Sequence, residues 1–179
     1  MKKLICLLFC SLLFLPAAAQ WKWHNPMEAD FPVIQNQGFT EEIGNTYTRL
    51  PERAKGVVSE PVWDLSRHSA GLAIHFYSDA SQIKVRYAVT GGLNMPHMPS
   101  TGVSGVDLYS IDSDWKWHFC FGGYSFRDTI TYTYNNIGKD RYHKQGFEYR
   151  LYLPLYNGVK WLEIGTPEDA ALTFIPLSP

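Results

Sequence analysis

An all-β, jelly-roll-like β-sandwich in a single domain is the fold this sequence predicts, on three observations. Apolar and polar residues alternate with period two in one run after another. Each run is closed by Gly, Pro, Asn or Asp, and no segment keeps a 3.6-residue apolar period for three turns. Seven or more short strands with no long helix can bury one face each by packing two sheets together.

Leu72-Ala73-Ile74-His75-Phe76-Tyr77 places Leu72, Ile74 and Phe76 on one face. Over 82–90, Ile83, Val85, Tyr87 and Val89 alternate with Lys84 and Arg86. Val106-Asp107-Leu108-Tyr109 is the next alternating run. Trp115, Trp117, Phe119 and Phe121 alternate with Lys116, His118 and Cys120, and in a sandwich without disulfides this aromatic stripe reads as core. Runs over 128–134, 147–153 and 159–164 complete the set, and Asn157-Gly158 favours a tight type I′ hairpin. Single helical turns are expected near Glu41-Glu42 and over 167–171. Residues 20–56 are less regular and read as an arm around the sandwich.

Residues 1–19 have the order of a secretory signal peptide. Lys2 and Lys3 precede an apolar stretch from Leu4 to Pro16, and Ala17-Ala18-Ala19 forms a small-residue cleavage site. The stretch is shorter than the ~20 residues that span a bilayer, so no membrane span is expected. Bulky Phe9 before Cys10 disfavours lipoprotein processing there. The expectation is an exported protein, with periplasm, cell surface and medium all compatible, and a domain over 20–179. Cys6 and Cys10 leave with the signal peptide, so Cys120 remains without an intramolecular partner. Of 16 basic residues, Lys2 and Lys3 are removed, leaving 14 against 17 acidic residues and a net charge of −3. With no Lys/Arg cluster, nucleic acid is not an expected partner.

Candidate chemistry is sparse. His24, His68, His75, His97, His118 and His143 form no H-x-H or H-E-x-x-H pattern, so no metal cofactor is expected. A structural calcium is the one ion to consider, at Asp112-Ser113-Asp114, although such a sequence ahead of a strand is also ordinary turn chemistry. A triad of Ser104, His97 and Asp107 is conceivable by residue type. Gly102-Val103-Ser104-Gly105-Val106 fails the G-x-S-x-G elbow at its last position, however, and lacks the strand-turn-helix setting.

Binding offers more. Residues 91–112 hold a Gly pair, the turns Met95-Pro96 and His97-Met98-Pro99, and further glycines, a long punctuated loop of the kind that carries function. Two readings stand: Met95 and Met98 plug one edge of the sandwich, or His97 is presented to a neighbouring active site. Asp107, inside a strand, reads as an anchor for this loop if it is buried. Aromatics make up 15% of the chain. Trp21, Trp23, Tyr124, Tyr142 and Tyr156, in loops or on polar faces, are candidates to stack on sugar rings; Trp21 and Trp23 equally suit a role pinning the arm to a sheet.

Gly105-Val106-Asp107-Leu108-Tyr109 matches a G-x-D-L-Y signature. With Met95-Pro96-His97-Met98-Pro99, Leu155-Tyr156-Asn157-Gly158-Val159 and Leu162-Glu163-Ile164-Gly165, it resembles the N-terminal domain of SGNH-type, GDSL-like esterases over nearly all of residues 20–179. The resemblance implies a β-sandwich followed by a catalytic domain that removes acyl groups from carbohydrates. None of that domain's catalytic blocks is present: G-D-S is absent, Gly92-Leu93-Asn94-Met95 lacks the Asp of G-x-N-D, and Asp140-Arg141-Tyr142-His143 matches D-x-x-H only in spacing. The expected role is therefore non-catalytic, with the C-terminal catalytic domain as partner and a glycan as possible ligand. His97, Met95, Met98, Asp107, Tyr109, Tyr142 and Trp23 are the residues expected to contact substrate or partner domain.

Overall fold

The computed structural model describes residues 20–111, 114–135 and 147–177. The signal-peptide reading, Asp112-Ser113, the D-x-x-H spacing and Tyr142 fall outside them.

Eleven strands form two antiparallel sheets among the described residues. They are β1 (Trp21–His24), β2 (Ile34–Gln35), β3 (Ala73–Ser78), β4 (Ile83–Val89), β5 (Asp107–Ile111), β6 (Trp117–Cys120), β7 (Gly123–Ser125), β8 (Ile130–Tyr134), β9 (Phe147–Tyr152), β10 (Val159–Pro167) and β11 (Leu172–Phe174). Sheet I has the order β1-β10-β4-β8-β7, and sheet II the order β11-β3-β9-β5-β6. The short β2 pairs with β3 beside β11. Setting aside β2, β7 and β11, the quartets β1-β10-β4-β8 and β3-β9-β5-β6 are those of a jelly roll, in which the chain crosses between sheets at almost every step.

Alternation explains most of the pairing. The apolar face of β4 (Ile83, Val85, Tyr87, Val89) meets that of β3 and β9 (Ile74, Phe76, Tyr149, Leu151) in one buried cluster. Tyrosines supply much of its bulk: Tyr87, Tyr134 and Tyr149 are fully buried, and burial raises all three phenol pKa values. The arm spans both sheets as expected, with β1 on the edge of sheet I and β2 on that of sheet II. Trp21 and Trp23 lie on the outer face of sheet I beneath Lys84 and Arg86, whose cationic groups sit 3.9 and 3.8 Å from the ring centroids.

Three expectations need correction. The aromatic stripe of β6 is not core, since Trp115, Phe119 and Phe121 are exposed. Register decides this: Cys120 pairs with core-facing Leu108, so Cys120 faces inward and Trp117 and Phe119 outward. Asn157-Gly158 is not a hairpin turn, because β9 and β10 belong to different sheets. The glycine is needed for close approach instead: a Cβ there would lie 2.6 Å from the Arg67 carbonyl oxygen. The helical turn expected at 167–171 is the end of β10 and a turn, whereas the one at Glu41-Glu42 is present as α1 (Thr40–Ile43). Two short helices escape sequence reading, α2 (Glu60–Ser66) and α3 (Ser100–Ser104). In α2, Val62 and Leu65 face solvent, so no inward apolar stripe forms; α3 contains Gly102 in five residues.

Candidate functional site

The outer face of sheet II carries the site. Period two turns His75 outward on β3, Arg150 and Tyr152 on β9, Asp107 and Tyr109 on β5, and Trp117 and Phe119 on β6. Register sets His75, Arg150, Tyr109 and Phe119 in one row across four strands, with Asp107 opposite Tyr152 in the next. A cleft of about 550 Å³ opens here, bounded by Asp107, Tyr109, Trp117, Arg150 and Tyr152 and floored towards α3 by Gly102 and Gly105.

Aromatic edges hold its walls. Tyr109 meets Tyr152 edge-on at 5.9 Å and 88°, and meets Phe119 at 5.5 Å and 68°. The Arg150 guanidinium lies 4.3 Å from the Trp117 ring centroid, and its Nη1 donates to the Tyr152 hydroxyl at 3.3 Å. Among the described residues no carboxylate pairs with Arg150, and its buried Nε has no hydrogen-bond partner. His75 beside it is 7% exposed with an unpartnered Nε2. Burial, reinforced by the Arg150 charge, pushes its imidazole pKa down to about 4.

That depression has a measurable consequence. The folded-state pKa near 4 lies below the ordinary 6.5, so between these values the unfolded chain holds the proton and the folded chain does not. His75 therefore costs no stability above the unfolded value. Its cost grows as the pH falls from about 6.5 towards 4, reaching on the order of 2 kcal/mol, and then levels off. Urea unfolding of wild type and His75→Gln at pH 7 and pH 4.5 should show a smaller acid loss in the variant; equal losses would refute it.

The loop over 91–105 is tied by Asn157, the residue that the Asn-Gly signal assigns to a hairpin turn. Asn157, 2% exposed, accepts from the Gly91 and Gly158 amides at 2.8 and 3.0 Å, and donates to the Gly92 carbonyl and Ser104 Oγ, both at 2.9 Å. Ser104 is fully buried, and its Oγ donates to the Leu93 carbonyl at 2.9 Å. Its hydroxyl is engaged in the hydrogen bonds that hold the loop. Met95 and Met98 exchange backbone hydrogen bonds of 3.0 and 3.1 Å, which leaves exposed His97 at the tip of the turn between them. The Met98 side chain lies against Gly102. None of Met95, His97 and Met98 lines the cleft, and Trp23 lies on the opposite sheet. Among the described residues no three His, Cys, Asp or Glu side chains converge on a metal position, and no helix is long and apolar enough to cross a membrane.

The family profile described as GxDLY, the N-terminus of SGNH hydrolase-type esterases, matches residues 21–172. The chain belongs to this family. A crystal structure of a GDSL-like lipase from Bacteroides ovatus superposes on it with a TM-score of 0.72 at 28% identity, covering 86% of this chain and 42% of that one. The chain thus spans less than half the length of that lipase. No curated protein matches the sequence.

Within this GxDLY domain the motif divides by strand geometry. Val106 and Leu108 enter the core, while Asp107 and Tyr109 turn out into the cleft. Asp107 is therefore no buried anchor: it is exposed, without a hydrogen-bond partner among the described residues, and partial burial of its carboxyl raises its pKa above the ordinary value. Of the candidates read from sequence, Asp107 and Tyr109 are the two that the fold brings together. Arg150, Tyr152, His75 and Trp117 join them. Their outward positions could be read from alternation in three of the four cases, but their convergence depends on strand order.

Proposed function

We propose that this chain is the exported, non-catalytic N-terminal domain of an SGNH-type esterase acting on carbohydrate esters, where it packs against the C-terminal catalytic domain and forms one wall of the substrate cleft. The observation that carries the reading is the delivery of the motif's own Asp107 and Tyr109 to an aromatic-walled cleft, with neither engaged in holding the loop. The path of residues 175–177 supports it. The Ile175 amide donates to the His75 carbonyl at 2.9 Å, Gln35 Nε2 donates to the Pro176 carbonyl at 3.1 Å, and Leu177 lies in the polar hollow beside Arg150 and Tyr152. A domain attached beyond this segment starts at the cleft-bearing face. Interfaces favour such a composition, since Tyr, Trp and Arg dominate their energetic centres.

The test compares the whole gene product with a version lacking residues 20–179. Deacylation of acetylated xylo-oligosaccharides should lose at least about tenfold in kcat/KM, while hydrolysis of a small aryl acetate changes far less. Equal losses on both substrates, or none on either, would sink the cleft-wall role. A stand-alone sugar-binding module is the second reading, favoured by a cleft that is already formed in the domain by itself. Docking of a foreign protein on Met95–Met98 has less support, because both residues are half-buried and their backbones are bonded to each other.

A further inference from the structure

We infer that the cleft on the outer face of sheet II is a subsite for an uncharged pyranose, with Tyr109, Trp117 and Tyr152 packing against the sugar and Arg150 and Asp107 dividing its hydroxyl contacts between them. The inference deepens the proposed function and rests on it for the source of the sugar.

Shape comes first. Small-ligand sites commonly enclose roughly 300–1,000 Å³, largely apolar with a few convergent polar groups. The cleft, at about 550 Å³, is walled by three aromatic rings and bordered by Gly71, Gly102 and Gly105. A pyranose presents an apolar C–H face to such rings and hydroxyls around its edge. A flat protein partner would leave the hollow unfilled.

Charge narrows the ligand. Arg150 can only donate and ionised Asp107 can only accept. Both line the same cleft, and among the described residues they do not pair with each other or with any other charged side chain. A sugar hydroxyl does both jobs, so neighbouring hydroxyls satisfy the donor and the acceptor together. A uronate attracted to Arg150 would bring its charge into a cleft that already holds Asp107, while an amino sugar attracted to Asp107 would meet Arg150. The two charges together select for a neutral ring.

Beside Arg150, His75 is a nearly buried neighbour. Paired in register with Arg150, its ring lies 6.3 Å from the Trp117 ring, on the side of the guanidinium away from Tyr109. It keeps that flank uncharged at neutral pH.

The experiment titrates the purified chain with neutral xylo-, cello- and galacto-oligosaccharides and with oligogalacturonate, followed by calorimetry and tryptophan fluorescence. The expected result is a Kd of about 1 mM or tighter for at least one neutral oligomer, with the uronate at least tenfold weaker. Tyr109→Ala and Asp107→Asn should each weaken binding about tenfold or more, with unchanged circular dichroism and melting. Phe121→Ala, exposed and outside the cleft, should not weaken it. Preference for the uronate, or neutral binding indifferent to Tyr109→Ala and Asp107→Asn, overturns the inference. So does absence of binding to every neutral oligomer; if deleting the domain still impairs deacylation, the face is then a domain interface and the broader reading stands. Sugar binding together with a deletion that leaves the esterase unaffected would retain the subsite and refute the cleft wall.

Discussion

Asn157→Ala should destabilise the fold by about 3 kcal/mol, lowering Tm by about 10 °C for a domain of this size. One buried amide serves both ends of the 91–105 segment: its oxygen takes two backbone amides, and its nitrogen reaches the Gly92 carbonyl and the Ser104 hydroxyl. Alanine removes these contacts, along with the 3.4 Å hydrogen bond from the Thr90 hydroxyl, and leaves buried groups without partners. Each such group costs ~1–3 kcal/mol, and water entering the space left behind recovers part of the sum. Asn157→Asp separates the two halves of the knot. It keeps the acceptor side, loses both N–H donors and buries a charge, so relative to wild type it should fare worse at pH 7 than at pH 4, where the carboxyl can be protonated and donate once. Chemical denaturation at both pH values is the measurement. An alanine variant within about 0.5 kcal/mol of wild type would show that the loop is held by its Met95–Met98 and α3 contacts instead.

This residue also marks where sequence reading stops. Asn-Gly carries a strong local hairpin signal, and local reasoning assigns Asn157 to a turn. Its partners, Gly91, Gly92 and Ser104, lie more than 50 positions away, and nothing in the spacing announces them. By contrast, β4 and β9 are legible because charged residues fix the phase of the alternation: Lys84 and Arg86 cannot be the buried face of β4. In β6 the alternating partners of the aromatics are Lys116, His118 and Cys120, and two of these tolerate burial. The period is correct there and the phase is not, since pairing with Leu108 on β5 supplies the missing constraint. The short edge strands β7 and β11, three residues each, are too brief for any period to register.

The site is half legible for the same reason. Asp107 and Tyr109 sit two apart on one strand, and the motif points at them directly. Arg150, Tyr152 and His75 come from two other strands, and only the order β3-β9-β5-β6 sets them beside the motif. His97 draws attention through the punctuation of its loop, yet that punctuation serves a tight turn in which Met95 and Met98 pair through their backbones. The loop reaches the cleft only near its C-terminal end, through Thr101 and Gly102 of α3.

Gly105→Ala is the second large effect, and it links fold and site at a single atom. Gly105 has φ −75° and ψ 161°, values any residue adopts, so the demand for glycine is purely one of space. An added Cβ would stand 2.3 Å from the Thr101 carbonyl oxygen and 2.7 Å from the Tyr132 hydroxyl. The tyrosine tip can swing aside, but the carbonyl belongs to the backbone of α3, so either the helix or the start of β5 must move. Overpacking of this kind costs about 1–3 kcal/mol, and a clash with backbone belongs at the upper end. Whichever element moves carries cleft residues with it, Thr101 and Gly102 on one side and Asp107 and Tyr109 on the other. The variant should therefore lose oligosaccharide binding even at temperatures where it remains folded. Two controls calibrate the claim. At Gly102 the nearest neighbour is the flexible Met98 side chain at 3.0 Å, and at Gly123 there is nothing within 4 Å. Gly123→Ala should leave stability within about 0.5 kcal/mol of wild type and Gly102→Ala should cost less than Gly105→Ala, both read by urea denaturation. If Gly105→Ala instead matches Gly123→Ala, the glycine of the motif is not there for space, and the packing of α3 against β5 is looser than the 2.3 Å approach requires.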